Sequence, residues 1–308
     1  GVAINAKRLV RALPTLKDKL PSLTLTKKLT KANFATENDA LMYGWQEDAY
    51  QLAKKLRKET SNHGFFGINM ASTGKGKTIA NARIMSGLSE KDKCRFSVAL
   101  GLRTLTLQTG KALEKMLDLK KEDVGILIGS QAVEELFSSQ KEKDNLNGSE
   151  SSQDLSKDQD VIYEGIVDNK ILTKWLEKSP KMQKLINAPL LVSTIDHLIP
   201  ATEGVRGGKQ IAPMLRLFTS DLVIDEPDDF GLDDLPALCR LVNWAAMLGS
   251  KVLFSTATMP PALVMALFQA YQQGWKTYTQ VNHKEGTQDK ICCAWFDEFS
   301  TQKNIIND

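Results

Sequence analysis

The sequence predicts an α/β fold in which a mainly parallel central sheet carries helices on both faces. Three observations lead there. Short, nearly unbroken apolar runs recur along the chain, and stretches with helical apolar spacing separate most of them. The sharpest Gly/Lys-rich turn follows one such run and opens one such helix. Strands covered on both faces read as continuous apolar runs, because crossover helices remove both sides from water.

Taken in order, residues 1–44 read as a basic arm or interdomain connector. From Val2 to Phe34 the bases are Lys7, Arg8, Arg11, Lys17, Lys19, Lys27, Lys28 and Lys31, against the single acid Asp18. Pro14 and Pro21 interrupt any long helix. A solvated basic face and a phosphate-contacting arm both fit this pattern. The folded domain is expected over residues 45–296. Trp45, Ala49, Leu52, Ala53 and Leu56 share one helical face. Strands are expected over 65–69, 96–100, 124–128, 190–193, 222–225, 252–255 and 291–296. Leu235, Leu238, Cys239, Val242, Ala245 and Ala246 mark another helical face. Residues 138–160 are polar, with Leu146 and Leu155 their only large apolar groups, and read as a surface insertion. Residues 297–308 read as the start of a linker.

Composition narrows the function classes. The chain has 308 residues, 42% hydrophobic and 25% charged, which suits a domain with a sizeable core. Forty bases against 37 acids leave a net charge of +3, which alone specifies no nucleic-acid partner. No apolar run is long enough to cross a bilayer, and the amino terminus lacks a secretory signal. The expectation is a cytoplasmic protein with no membrane partner. Cys94, Cys239, Cys292 and Cys293 lack CxxC spacing and read as reduced thiols. His63, His197 and His283 are scattered, which argues against a His-rich metal nuclease within these residues.

The strongest local motif is Ala71-Ser72-Thr73-Gly74-Lys75-Gly76-Lys77-Thr78, between a strand and a helix. Gly74 and Gly76 permit the dihedrals and close approach of a phosphate cradle. Backbone amides at the helix start face phosphate oxygens. Lys77 suits the β and γ phosphates of ATP, and the Thr78 hydroxyl suits Mg²⁺. Ala71 stands where the strict pattern has its first Gly, which removes one point of flexibility.

A second segment, Leu222-Val223-Ile224-Asp225-Glu226-Pro227-Asp228, delivers acids at the end of an apolar strand. Asp225 suits Mg²⁺, usually through water, and Glu226 suits orientation and deprotonation of an attacking water. After another strand, Ser255-Thr256-Ala257-Thr258 supplies hydroxyls that can link the acidic loop to movement. The same residues suit an N-cap before the Pro260-Pro261 helix start. The Gln46 amide can read an adenine edge, or serve as an ordinary helix-start residue.

Here the chain resembles the helicase–nuclease effector of type I CRISPR interference, subtype F. The matching segments are YGWQ at 43–46, NMASTGKGKT at 69–78, LGLRTLTLQTG at 100–110 and VSTIDHLIPATEGVRGG at 192–208. DLVIDEPDDFGLDDLPALCRLVNWA at 221–245 and FSTATMPPAL at 254–263 follow in the same order. The resemblance covers nearly the whole chain. It implies the first RecA-like P-loop domain of a superfamily 2 helicase. By position, Gln46 matches the adenine-reading glutamine, and Gly74, Gly76, Lys77 and Thr78 the phosphate loop. Asp225 and Glu226 match the acidic pair, and Asp228, Ser255 and Thr258 the coupling residues. Arg103, Thr104, Thr194 and Asp196 fall in segments resembling DNA-contact motifs.

The resemblance further implies an ATP-dependent single-stranded DNA translocase coupled to a metal-dependent nuclease. Its implied partners are single-stranded DNA, an RNA-guided surveillance complex, a CRISPR adaptation integrase and a second RecA-like lobe. The transition metal is expected only in a nuclease domain outside these residues. The reading is therefore the ATP-binding half of a motor, inactive or weakly active alone. Its alternative is a nonmotor docking or nucleic-acid-binding fragment with a preserved but inactive ATP loop.

Overall fold

The computed structural model describes residues 13, 15–31, 34–90, 93–101, 106–129, 159–165, 180–203, 210–231, 233–282 and 289–307. Before the first strand come α1 (Lys27–Thr30), α2 (Glu37–Tyr43) and α3 (Trp45–Leu56). Then come β1 (Gly64–Asn69), α4 (Lys77–Leu88), β2 (Phe96–Leu100), α5 (Thr106–Leu117), β3 (Val124–Gly129) and β4 (Gln159–Ile162). They are followed by α6 (Pro180–Asn187), β5 (Leu190–Thr194), α7 (Ile211–Thr219), β6 (Asp221–Asp225), α8 (Leu235–Met247) and β7 (Val252–Ser255). The last elements are α9 (Pro261–Val281), β8 (Lys290–Phe296) and β9 (Thr301–Asn307).

The strands form one sheet in the order β4-β3-β5-β2-β6-β7-β1-β8-β9. Pairings from β3 to β8 are parallel, while β4 on β3 and β9 on β8 are antiparallel. The expected RecA-like architecture is present, and strand alternation explains its two layers. Phe65, Val98, Val223 and Leu253 pack on one side with Ala53 and Leu56 of α3 and Ile84 and Met85 of α4. Their neighbours Phe66, Ala99, Ile224 and Phe254 pack on the other with Leu241 and Val242 of α8 and Leu267 and Tyr271 of α9. Burying such side chains stabilises by about 1.5–3 kcal/mol each.

The register also gathers polar residues. Asn69 pairs with Ser255 and Phe296, Ser255 with Asp225, Asp225 with Leu100, and Leu100 with Thr194. These residues form one row at the carboxyl edge, where open α/β sheets bind ligands.

Three expectations change. Residues 301–307, read as linker, form an edge strand on β8. Its polar sequence hid it, because backbone pairing at an edge needs no apolar face. Gln159 and Asp160 belong to β4 rather than to an insertion; residues 138–158 lie outside the described residues. Part of the basic arm joins the domain: Leu16, Leu20, Leu23 and Leu29 are buried. Leu23 N donates to Cys94 O at 2.7 Å, and Thr26 Oγ1 to Leu117 O at 2.6 Å. Lys27, Lys28 and Lys31 remain exposed. The four cysteines are free thiols, as expected; Cys94 and Cys292 are buried. Among the described residues no helix is long and apolar enough to cross a membrane.

Candidate nucleotide site

The phosphate-loop motif lies between β1 and α4, as its spacing requires. Gly74 (φ 83°) and Gly76 (φ 75°) occupy the left-handed region that favours glycine. At Gly76 space matters too, since a Cβ there would stand 2.6 Å from Gln46 Nε2. That approach is part of a clamp. Gln46 Nε2 donates to Lys75 O and Gly76 O, both at 3.3 Å, and Trp45 Nε1 donates to Lys75 O at 3.2 Å. Gln46 is 5% exposed, so its amide nitrogen braces the loop's backbone.

Asn69, absent from the expected site residues, anchors the loop's start. Its Oδ1 accepts from Ala71 N at 3.2 Å, and its Nδ2 donates to Asn81 Oδ1 on α4 at 2.7 Å. Its carbonyl accepts from Thr256 N at 3.0 Å. One buried side chain thus ties strand, loop and helix. Its sequence signal was an amide closing an otherwise apolar strand, where an unsatisfied polar group would be costly.

The structure brings the two halves of the site together. Lys77 Nζ lies 3.8 Å from Glu226 Oε1 across the loop. Glu226 has φ 52°, a strained value for a side-chain-bearing residue, and its N donates to Ser255 O at 2.7 Å. Such strain is found where surrounding structure over-determines a functional position. Burial pushes the Glu226 carboxyl above its ordinary range; Lys77 draws it down, and Asp225 and Asp228 add to the rise. Asp225, Glu226 and Asp228 follow one another at one strand end, and Lys77 is the cation facing Glu226. Among the described residues no three carboxylate, histidine or cysteine side chains are grouped so as to hold a metal ion by themselves. The Thr78 hydroxyl lies on the first turn of α4.

Asp228 fixes the acidic loop to the segment after β7. Thr258 Oγ1 donates to Asp228 Oδ2 at 2.8 Å, and Thr256 Oγ1 donates to Asp228 Oδ1. Asp228 and Thr258 thus meet, whereas the Ser255 hydroxyl does not join them. Ser255 is fully buried within β7, and Thr256, from the same run of hydroxyls, makes the second hydrogen bond. Of the DNA-contact candidates, Thr194 is 2% exposed and its hydroxyl pairs with His197 Nδ1 at 2.7 Å. Asp196 is exposed on the following turn; Arg103 and Thr104 lie outside the described residues.

Known proteins are similar to this chain in sequence and in fold. No protein-family model matches the chain. The CRISPR-associated nuclease/helicase Cas3 subtype I-F/YPEST of Pectobacterium atrosepticum is 54% identical over 316 residues, covering 100% of this chain and 28% of the relative. The protein of the same name from Pseudomonas aeruginosa is 47% identical over 306 residues, covering 99% of this chain and 28% of the relative. The chain thus spans well under half the length of these relatives. The crystal structure of T. fusca Cas3-ATP shares the fold with a TM-score of 0.53 at 18% identity, covering 87% of this chain and 26% of that one. That of T. fusca Cas3-AMPPNP gives 0.53 at 19%, covering 86% and 26%. With identity of this level along its length, the chain is a homologue of a segment of the Cas3 subtype I-F/YPEST nuclease/helicases.

Proposed function

We propose that the chain is the ATP-binding half of an ATP-dependent single-stranded DNA translocase/helicase acting in CRISPR interference, incomplete without a second RecA-like lobe. The observation that carries the reading is the approach of Lys77 to Glu226 across a glycine-built phosphate loop. Its support from relatives is that they are named nuclease/helicases and that solved neighbours are described with ATP and AMPPNP.

The residues divide the work. Loop amides and Lys77 receive the phosphates of ATP, so Lys77 exchanges its carboxylate partner for substrate. Thr78 and Asp225 would hold Mg²⁺, which supplies charge neutralisation at the phosphates when bound. Glu226, released from Lys77, orients water and takes its proton; its raised affinity for protons suits that task near neutral pH. Gln46 and Trp45 keep the loop in place beneath the nucleotide. Asp228, Thr256 and Thr258 carry the acidic loop's position to the start of α9.

A second lobe would add positive charge at the transition state and a second DNA-holding surface. Single-stranded DNA, an RNA-guided surveillance complex and an adaptation integrase are the partners the reading assigns to the whole protein, and nuclease chemistry belongs to another part of it. The test compares ATP turnover by this chain and by a longer protein carrying the second lobe, each with and without single-stranded DNA. Turnover confined to the longer protein supports the half-site. Equal DNA-stimulated turnover by this chain alone contradicts it.

A further inference from the structure

Two sets of contacts hold the phosphate loop, and only one belongs to the motifs described above. Trp45 and Gln46 of α3 bind the carbonyls of Lys75 and Gly76. The second comes from Glu298, in the turn between β8 and β9, which lines a cavity together with Trp45 and other residues of α3. Ser72 N donates to Glu298 Oε2 at 3.1 Å, and Ser72 Oγ donates to Glu298 Oε1. Ser72 begins the tight turn of the loop, since Lys75 N donates to Ser72 O at 3.2 Å around Gly74.

The turn that presents Glu298 is itself braced. Asp297 Oδ1 accepts from Phe299 N at 2.8 Å and Ser300 N at 2.6 Å, and Asp297 Oδ2 accepts from Trp295 Nε1 at 2.6 Å. Asp297 N donates to Ser300 O at 3.1 Å, and Phe296 O accepts from Met70 N at 2.8 Å just before the loop. The backbone that presents Glu298 is therefore fixed, and its carboxylate meets Ser72 at the solvent-exposed surface of the loop. Burial pushes its carboxyl up, but the Ser72 hydroxyl and amide, with Lys75 nearby, hold it below the ordinary glutamate range.

We propose that Glu298 is a positioning residue for nucleotide binding: its carboxylate clamps Ser72 and keeps the phosphate loop in its cradle form before substrate arrives. The proposal rests on the nucleotide reading of the loop. A loop containing two glycines has many competing conformations, and each must be given up on binding unless it is excluded beforehand. Ser72 presents two donors, which match two carboxylate oxygens. A glutamine at 298 can keep both contacts, its Oε1 accepting from Ser72 N and its Nε2 donating to Ser72 Oγ, but only as neutral hydrogen bonds without the carboxylate charge. Glu298 also sits where β8 turns into β9, so whatever displaces that turn loosens the loop.

The test is a fluorescence titration of the 308-residue chain with Mg²⁺ and a fluorescent ADP analogue. Glu298→Ala weakens binding about tenfold, the worth of a charge-assisted hydrogen bond, and Glu298→Gln weakens it less because it keeps neutral hydrogen bonds. Ser72→Thr, which keeps the hydroxyl, binds like the wild type. The Ser72→Ala/Glu298→Ala double variant loses less than the product of the single losses, because both remove the same interaction. Lys77→Ala abolishes binding and marks the nucleotide site independently. Melting temperatures without nucleotide check folding, and the Ser72 variants read the clamp from its other end if a Glu298 variant melts early. Affinity within twofold for Glu298→Ala, tighter binding, or fully multiplicative losses overturn the proposal while loss in Lys77→Ala leaves the nucleotide reading standing. Unchanged binding in Lys77→Ala overturns that reading and the proposal with it.

Discussion

Lys77 Nζ and Glu226 Oε1 face each other at 3.8 Å, the lysine buried and the glutamate 41% exposed at its side chain. A buried ammonium needs a counter-charge, and Glu226 provides it without filling the loop. ATP phosphates supply a stronger partner for the same lysine. The pair therefore stores the chemistry in an exchangeable form, a cation for phosphate and a base for water.

That exchange sets the first expected outcome. In the two-lobed protein, Glu226→Gln retains ATP binding and loses hydrolysis by at least about a hundredfold, the typical worth of a general base. The sign of the pH dependence follows from burial. The base must be ionised, its proton affinity is raised, and activity is lost as pH falls through that raised value. The acid limb of kcat/KM, which reports the free protein, accordingly lies above the ordinary glutamate value of about 4.3. A steady-state profile with an unshifted limb, or full turnover in the Gln variant, contradicts the role.

The hydrogen bonds to Asp228 predict an uncoupling variant. Thr256→Val removes a hydroxyl from a carboxylate in a part-buried network and should destabilise the fold by about 1–2 kcal/mol. It should keep nucleotide affinity while reducing DNA stimulation of ATP turnover severalfold. Thr256→Ser should restore both. Urea midpoints and paired turnover assays with and without DNA measure the two effects, and unchanged stimulation in the Val variant would remove Thr256 from the coupling path.

The strand frame and the loop were legible because each left a one-dimensional trace: apolar runs for β1, β2, β5, β6, β7 and β8, and glycine spacing for the loop. Edge strand β9 left none, because its pairing uses backbone groups. Asn69 was hidden for a related reason. Its importance comes from strand register, which aligns Asn69, Asp225 and Ser255 although 156 and 30 residues separate the first and last pairs of that row. Charge pattern also misled in the arm, where Leu16, Leu20, Leu23 and Leu29 reach the core between the lysines.

Buried arginines were equally silent in the sequence. Arg216 is 0% exposed and donates to Ser97 Oγ and to the carbonyls of Phe96, Leu185, Ala188 and Pro189. Burial, and Arg95 nearby, hold its guanidinium well below the ordinary range. The Arg216→Leu variant strips several buried carbonyls of partners and should cost roughly 3 kcal/mol or more. The Arg216→Lys variant, with three donors in place of a five-donor fork, should recover only part of it. Urea denaturation decides; wild-type stability in the Leu variant would show that water satisfies the site.

Lys27, Lys28 and Lys31 stand exposed although Leu29 between them is buried. If they meet phosphates, replacing all three with Ala lowers the salt slope of single-stranded DNA binding by about 0.7 for each phosphate no longer neutralised. Fluorescence titrations across several salt concentrations measure it. An unchanged slope assigns them to a solvated face.

The most direct measurement is calorimetric titration of Mg-ATP into this chain, with Lys75→Ala and Lys77→Ala beside it. Saturable one-site binding by the wild type, little changed in Lys75→Ala and lost in Lys77→Ala, is the predicted result, because Lys77 is the buried lysine facing Glu226 and Lys75 is not. Equal affinities for the wild type and Lys77→Ala would contradict the nucleotide site outright.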